Sequence, residues 1–138
     1  MSSLSDLNGT HWTGKAELWL EGDAAADVSD CMLYVVDGRV EYTWSFKGQA
    51  RTGTLSPADD GVDFQDTFHS SAAMRLSHIE GSWALLDAKG TYEASEGPPW
   101  GWRVSIARRA SGELVLQMTN IMPWGEYERA ARMVVSKS

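Results

Sequence analysis

Apolar and polar residues alternate along most of this chain with a period of two. From Val40 to Lys47 the order Val-Glu-Tyr-Thr-Trp-Ser-Phe-Lys runs without a break. That alternation puts Tyr42, Trp44 and Phe46 on one face of a strand and the polar set on the other. The opening segment repeats the pattern more weakly. Trp12, Gly14, Ala16, Leu18 and Leu20 share a face opposite His11, Thr13, Lys15 and Glu17, and Trp19 interrupts the polar side. Turn signals punctuate the runs. Asp37-Gly38 is the strongest hairpin cue, because both residue types tolerate positive φ. Lys47-Gly48, Asp60-Gly61, Glu80-Gly81, Lys89-Gly90 and Ser111-Gly112 read as further turns.

These signals predict strands near 11–20, 31–37, 39–47, 49–56, 62–69, 72–79, 82–88, 90–94, 100–109 and 113–122, with a last one near 126–136. The stretch Gly22 to Asp30 reads as an acidic, alanine-rich loop or short helical turn. Between Glu126 and Val135, Tyr127, Ala130, Ala131 and Val134 fall at helical spacing. Tyr127, Ala131, Met133 and Val135 also continue a period-two face, so a strand is preferred. Short strands joined by tight turns favour up-and-down connectivity, and closing such a sheet removes its exposed edges. The expected fold is all-β: an antiparallel up-and-down β-barrel of about eight to ten strands, with room for one small ligand inside. No repeat, linker or composition shift divides the chain, so residues 1–138 are read as one domain.

Composition narrows the class of function. A chain of 138 residues, 43% hydrophobic and 22% charged, has an ordinary globular balance. At this size, roughly two-thirds of the unfolded surface is buried on folding. Seven tryptophans are many for the length, and such rings line cavities and interfaces. The net charge of −7, from 19 acidic and 12 basic residues, argues against nucleic acid and anionic membrane surfaces, which need a basic face. Arg103, Arg108 and Arg109 read as a solvated strand edge rather than a basic patch. The single cysteine, Cys31, allows no internal disulfide and reads as core packing beside Leu33 and Val35. The opening residues show neither a basic n-region nor an apolar h-region, and no apolar run approaches the roughly 20 residues that cross a bilayer. The expected compartment is cytoplasmic.

In a barrel, the informative residues are polar ones that interrupt an inward apolar face, since burying them without partners is costly. Asp66 shares its face with Val62, Phe64 and Phe68. On the last strand Arg129 shares one with Tyr127, Ala131 and Met133, so Asp66 and Arg129 form either a core ion pair or a pair of ligand contacts. Asn120 interrupts Leu114, Leu116, Met118 and Met122; its amide suits ligand orientation or a bond to a neighbouring strand. The stretch Glu96-Gly97-Pro98-Pro99-Trp100-Gly101-Trp102-Arg103 places Trp100 and Trp102 on one face at the barrel rim, as a ligand wall or an apolar plug. If the strands flanking Ser111-Gly112 pair as a hairpin, this rim meets the turn Met122-Pro123-Trp124-Gly125. His69 lies on the face opposite Asp66, His78 falls with Met74 and Leu76, and His11 opposes Trp12, so the histidines read as structural. No cluster has metal-ligand spacing, and no phosphate loop or nucleophile elbow is present.

Leu7-Asn8-Gly9-Thr10-His11-Trp12-Thr13-Gly14 resembles the Gly-x-Trp opening of the calycin superfamily, which includes lipocalins, fatty-acid-binding proteins, avidins and nitrobindin-like barrels. Here one further residue separates the glycine from the tryptophan. Overall the chain is similar to bacterial lipocalin-like barrels of unassigned function. The resemblance implies a barrel over nearly the whole chain, with a hydrophobic ligand pocket. It also implies that Trp12 packs under a basic side chain, Arg129 or Arg132. Nitrobindin-like barrels hold haem through a histidine near the C-terminus. This chain has no histidine after His78, so no cofactor is expected.

Three functions compete. The leading one is a binding module in which Trp44, Phe64, Phe68, Trp100, Trp102 and Met118 enclose a small hydrophobic or aromatic ligand, with Asp66, Asn120 and Arg129 orienting its polar end. The second is a small-molecule enzyme (cyclase, isomerase or decarboxylase) with Asp66 as base and Arg129 as electrostatic partner. The third is a structural role, with exposed tryptophans joining a homodimer.

Overall fold

The computed structural model describes residues 4–20, 25–68, 70–93 and 97–138. A 3-10 turn at Leu4–Leu7 is followed by ten strands among the described residues: β1 Thr10–Leu18, β2 Asp27–Val36, β3 Arg39–Phe46, β4 Gln49–Ala58, β5 Gly61–Asp66, β6 Ser70–His78, β7 Leu86–Tyr92, β8 Trp100–Arg108, β9 Leu114–Ile121 and β10 Tyr127–Lys137. Each pairs antiparallel with its sequence neighbour, and β10 returns to β1 through a ladder from Trp12↔Lys137 to Leu18↔Ala131. The sheet is a closed up-and-down barrel in which every described strand has a hydrogen-bonded neighbour on both sides. The expected architecture is therefore present.

Period-two patterning explains which side chains fill it. In β3 the alternate residues Val40, Tyr42 and Trp44 are buried. Inward residues of the other strands, among them Trp12, Leu33, Leu55, Phe64, Leu76, Ile106, Leu116 and Val135, complete one continuous core. Tight turns follow where aspartate-glycine and lysine-glycine pairs stand. Asp37 and Gly38 take φ of 51° and 73°, and Lys47 and Gly48 take 49° and 79°, two left-handed residues in succession as right-twisted hairpins prefer.

The two barrel ends differ. At one, Leu4 and Leu7 of the 3-10 turn are buried as a plug. There the Thr10 hydroxyl donates to the Leu7 carbonyl (2.5 Å) and Trp12 Nε1 donates to Thr10 Oγ1 (2.8 Å). The ends of β1, β3, β5, β7 and β9 meet at the other, and the candidate site lies there.

Four expectations are corrected. The strands expected at 82–88 and 90–94 are one strand, β7, and Lys89-Gly90 lies inside it rather than in a turn. Gly90 serves a close approach instead: a Cβ there would sit 2.6 Å from the Arg75 carbonyl oxygen of β6. The loop expected from Gly22 to Asp30 is shorter at its C-terminal side, because β2 begins at Asp27 and Asp27–Asp30 pair with Lys15–Leu18. Those acidic residues face solvent, and an ion pair between Lys15 and Asp30 accommodates one of them; residues 21–24 lie outside the described set. The strands expected at 11–20 and 62–69 end earlier, at Leu18 and Asp66. Finally, β10 does not alternate strictly. Arg129 pairs with Thr119 and Ala131 with Met118, so Ala130 is an extra residue, a β-bulge.

That bulge reverses the phase of the strand. Ala130 is buried, while Tyr127 and Arg129 turn to the outer surface, beside Arg103 and Thr119. Neither arginine implied for Trp12 lies over it. Arg129 and Arg132 lie over Trp19, their guanidinium carbons 4.3 and 5.6 Å from the ring centroid. The β10 residue opposite Trp12 is Lys137.

Candidate functional site

At the end opposite the plug, the barrel encloses a cavity of about 170 Å³. Its wall is formed by Leu18, Trp19 and Leu20 from the end of β1, Trp44 from β3, Asp66 and Phe68 from the end of β5, Trp102 from β8, Met118 and Asn120 from β9, and Ala130 with Ala131 from the β10 bulge. An apolar space of roughly 150 Å³ accommodates one benzene ring, so this cavity suits a single ring with a short substituent. A larger hollow of about 710 Å³ runs between His78 and Pro123, and none of its lining residues is buried.

Asp66 is 3% exposed and accepts three hydrogen bonds from described residues. Tyr42 Oη donates to Oδ2 at 2.6 Å, Trp44 Nε1 to the same oxygen at 3.2 Å, and the Phe68 amide to Oδ1 at 2.8 Å. Strand register explains how Tyr42 reaches it. Tyr42 stands opposite Gly53, and Gly53 stands opposite Asp66, so the three form one row across β3, β4 and β5. A Cβ on Gly53 would lie 2.1 Å from the Tyr42 ring. Only a residue without a side chain lets the phenol cross β4. Burial, and then the neighbouring carboxylate, hold the Tyr42 hydroxyl well above its ordinary range, so it stays a protonated donor.

The second polar group is Asn120. Its Oδ1 accepts from Tyr92 Oη at 2.6 Å, and its amide N–H groups have no partner among the described residues. Burial, and then the charge of Glu128, raise the Tyr92 hydroxyl and keep it protonated. Aromatic packing fixes the walls. Trp44 meets Phe68 edge-to-face with centroids 5.4 Å apart, and Tyr92 meets Trp102 at 6.4 Å.

Six of the nine residues expected around a ligand (Trp44, Asp66, Phe68, Trp102, Met118 and Asn120) line this one cavity. Phe64 lies beneath it, 1% exposed, with its ring 5.8 Å from Trp102. Trp100 does not line it but sits at the rim against Trp124, centroids 6.3 Å apart. The hairpin pairing behind that convergence is present, with Gly101↔Ile121 and Trp102↔Asn120. Arg129 is outside, over Trp19, so the expected pairing with Asp66 is not formed and the carboxylate takes neutral donors instead. His78 is exposed at the plugged end of the barrel, beside Leu4 and Leu86. His69 lies outside the described residues, as does Glu96.

Pattern reasoning missed Trp19, Ala130 and Ala131 as wall residues, because the bulge and the end of β1 break the alternation it relied on. It also missed Arg51. This residue pairs with inward Trp44 and lies over the Phe68 ring at 5.4 Å; its place opposite Trp44 across the Lys47-Gly48 turn was a usable signal. Both ladder irregularities beside the cavity, between Phe64 and Asp66 in β5 and between Arg129 and Ala131 in β10, carry wall residues. Bulges commonly re-aim side chains next to sites. Among the described residues, no group of three His, Cys, Asp or Glu side chains could hold a metal ion, and no helix is long and apolar enough to cross a membrane. No family model matches the sequence, and no curated protein is significantly similar to it.

Proposed function

We propose that the protein binds a small molecule in the cavity at the open end of the barrel, a ligand of one ring or comparable bulk held by aromatic walls and oriented by Asp66 and Asn120. One observation carries this reading. The two polar side chains on the cavity wall are each held by a tyrosine hydroxyl, at 2.6 Å in both cases. Polar groups fixed in advance around an apolar space are how small-molecule sites gain orientation without paying for reorganisation. The small residues Ala130 and Ala131 at the bulge support it further, since larger ones there would occupy the space. The enzymatic reading loses the electrostatic partner it needed, because Arg129 stands on the outer surface.

The test uses the tryptophans themselves. Trp19, Trp44 and Trp102 form part of the wall, so saturable binding of a single-ring compound is expected to change intrinsic fluorescence. It is also expected to raise the melting temperature, by the equivalent of about 2.7 kcal/mol at one hundred times Kd. A panel of neutral, cationic and anionic single-ring compounds that moves neither signal would sink the proposal.

A further inference from the structure

The charge at the cavity wall narrows the ligand class, on the premise that this cavity is the ligand site. We propose that the ligand is a cation: a small ammonium compound whose charged nitrogen sits against Asp66 while its apolar part lies among Trp44, Phe68 and Trp102. The carboxylate is 3% exposed, and its partners among the described residues are a phenol, an indole N–H and a backbone amide, all uncharged. Hydrogen bonds from neutral donors orient a buried anion but leave its charge uncompensated, and no described residue supplies a cation to it. Among the described residues Oδ2 accepts two donors and Oδ1 one, which leaves Oδ1 the more open oxygen for an incoming N–H.

The surroundings fit the same charge. Aromatic rings attract cations through their electron-rich faces, and the cavity is bounded by such rings. The arginines nearby do not enter it. Arg129 and Arg132 lie over Trp19, and Arg51 lies over Phe68 with Nη2 donating to Gln49 at 3.0 Å. None of the three lines the cavity. A neutral ligand would leave Asp66 as it is, and an anionic one would meet a buried like charge. The net charge of −7 also favours the approach of cations.

Three probes of one shape decide the matter: benzylammonium, benzyl alcohol and benzoate, each titrated into the full-length wild-type protein by calorimetry and tryptophan fluorescence. Benzylammonium is expected to bind more tightly than benzyl alcohol by about tenfold or more, as a charge-assisted contact requires, with benzoate weakest. Asp66→Asn is expected to remove that preference, bringing the amine to within about twofold of the alcohol in the same variant, since an amide offers the ammonium no opposite charge. Melting curves establish that the variant is folded, and if it is not, the wild-type series decides alone. Equal binding of the amine and the alcohol overturns the cationic assignment and leaves the ligand site standing. Tightest binding by benzoate also overturns it, and points to Arg51. Binding by none of the three overturns both.

Discussion

At the scale of single residues, the site depends on a row in which each member requires the next. Tyr42 reaches Asp66 because Gly53 has no side chain, and Asp66 tolerates burial because Tyr42 is there. Tyr42→Phe deletes one donor without emptying the core. It should cost on the order of 1–3 kcal/mol, the range for leaving a buried acceptor underserved. In an Asp66→Asn background the same change should cost less, and denaturant melts of the four proteins give the coupling directly. Additive losses would mean that the 2.6 Å contact contributes nothing of its own. Cys31 illustrates the opposite case, a reactive group made inert. Burial, and then the charge of Asp30, push its thiol up to about 11 from 9.0, and the residue is 3% exposed. Its folded pKa is raised, so the native state holds a proton that the unfolded state releases. Cys31 therefore makes stability fall as pH rises from 9.0 toward about 11. At pH 8 a thiol reagent should label it only through unfolding, far more slowly than in denaturant; a rate equal to that of the denatured chain would refute its burial.

Single elements explain both what alternation foretold and where it misled. The β3 pattern was legible because eight successive residues kept phase, and the same holds for Phe64 and Asp66 in β5. A bulge cannot be read that way, since one extra residue leaves no chemical mark when it is an alanine beside another alanine. Ala130 thus turned Arg129 outward while the sequence pattern placed it inside. Gly90 misled for a related reason, because a glycine required by a close strand approach looks the same as one required by a turn. Two measurements test the elements. Arg129→Ala should lower stability by about 1 kcal/mol through loss of its stacking on Trp19 and leave ligand affinity unchanged. A collapse of affinity would put the guanidinium back in the site. On the outer face of β7 and β8, Asp87 is clamped by Arg103 (2.8 and 2.6 Å) and by the Ser82 hydroxyl (2.7 Å). The Arg103 hydrogen bonds hold its carboxyl below the ordinary 3.8, against the opposing effect of burial. A depressed carboxyl stabilises the fold above its unfolded pKa, and that contribution is lost as pH falls through the lower folded value. Acid melts below pH 3.8 should therefore be steeper for the wild type than for Asp87→Asn.

Across the whole molecule, closure of the barrel makes its seams comparable, and they are not equal. The register between β8 and β9 runs through eight pairs, from Gly101↔Ile121 to Arg108↔Leu114, and that between β1 and β2 through nine. Between β6 and β7 it covers two among the described residues, Ser77↔Lys89 and His78↔Ala88, although β6 begins at Ser70 and β7 continues to Tyr92. A ladder opens where the fewest bonds must break, so the barrel should breathe along this line before it unfolds as a whole. The cavity makes the consequence functional. Phe68, just beyond the end of β5, and Trp102, on β8, line it, and they flank the weak seam on either side, so opening it loosens the two aromatic walls together. Hydrogen exchange read residue by residue should show the lowest protection in Gly90–Tyr92 and the highest in β8 and β9. Bound ligand should slow exchange at the seam more than elsewhere, because it joins the two sides through the cavity. A disulfide between Ser77→Cys and Lys89→Cys, placed where the strands already pair, should raise protection throughout β7. Uniform protection around all ten strands, unchanged by that bond, would show that closure distributes stability evenly and that the short register carries no weakness.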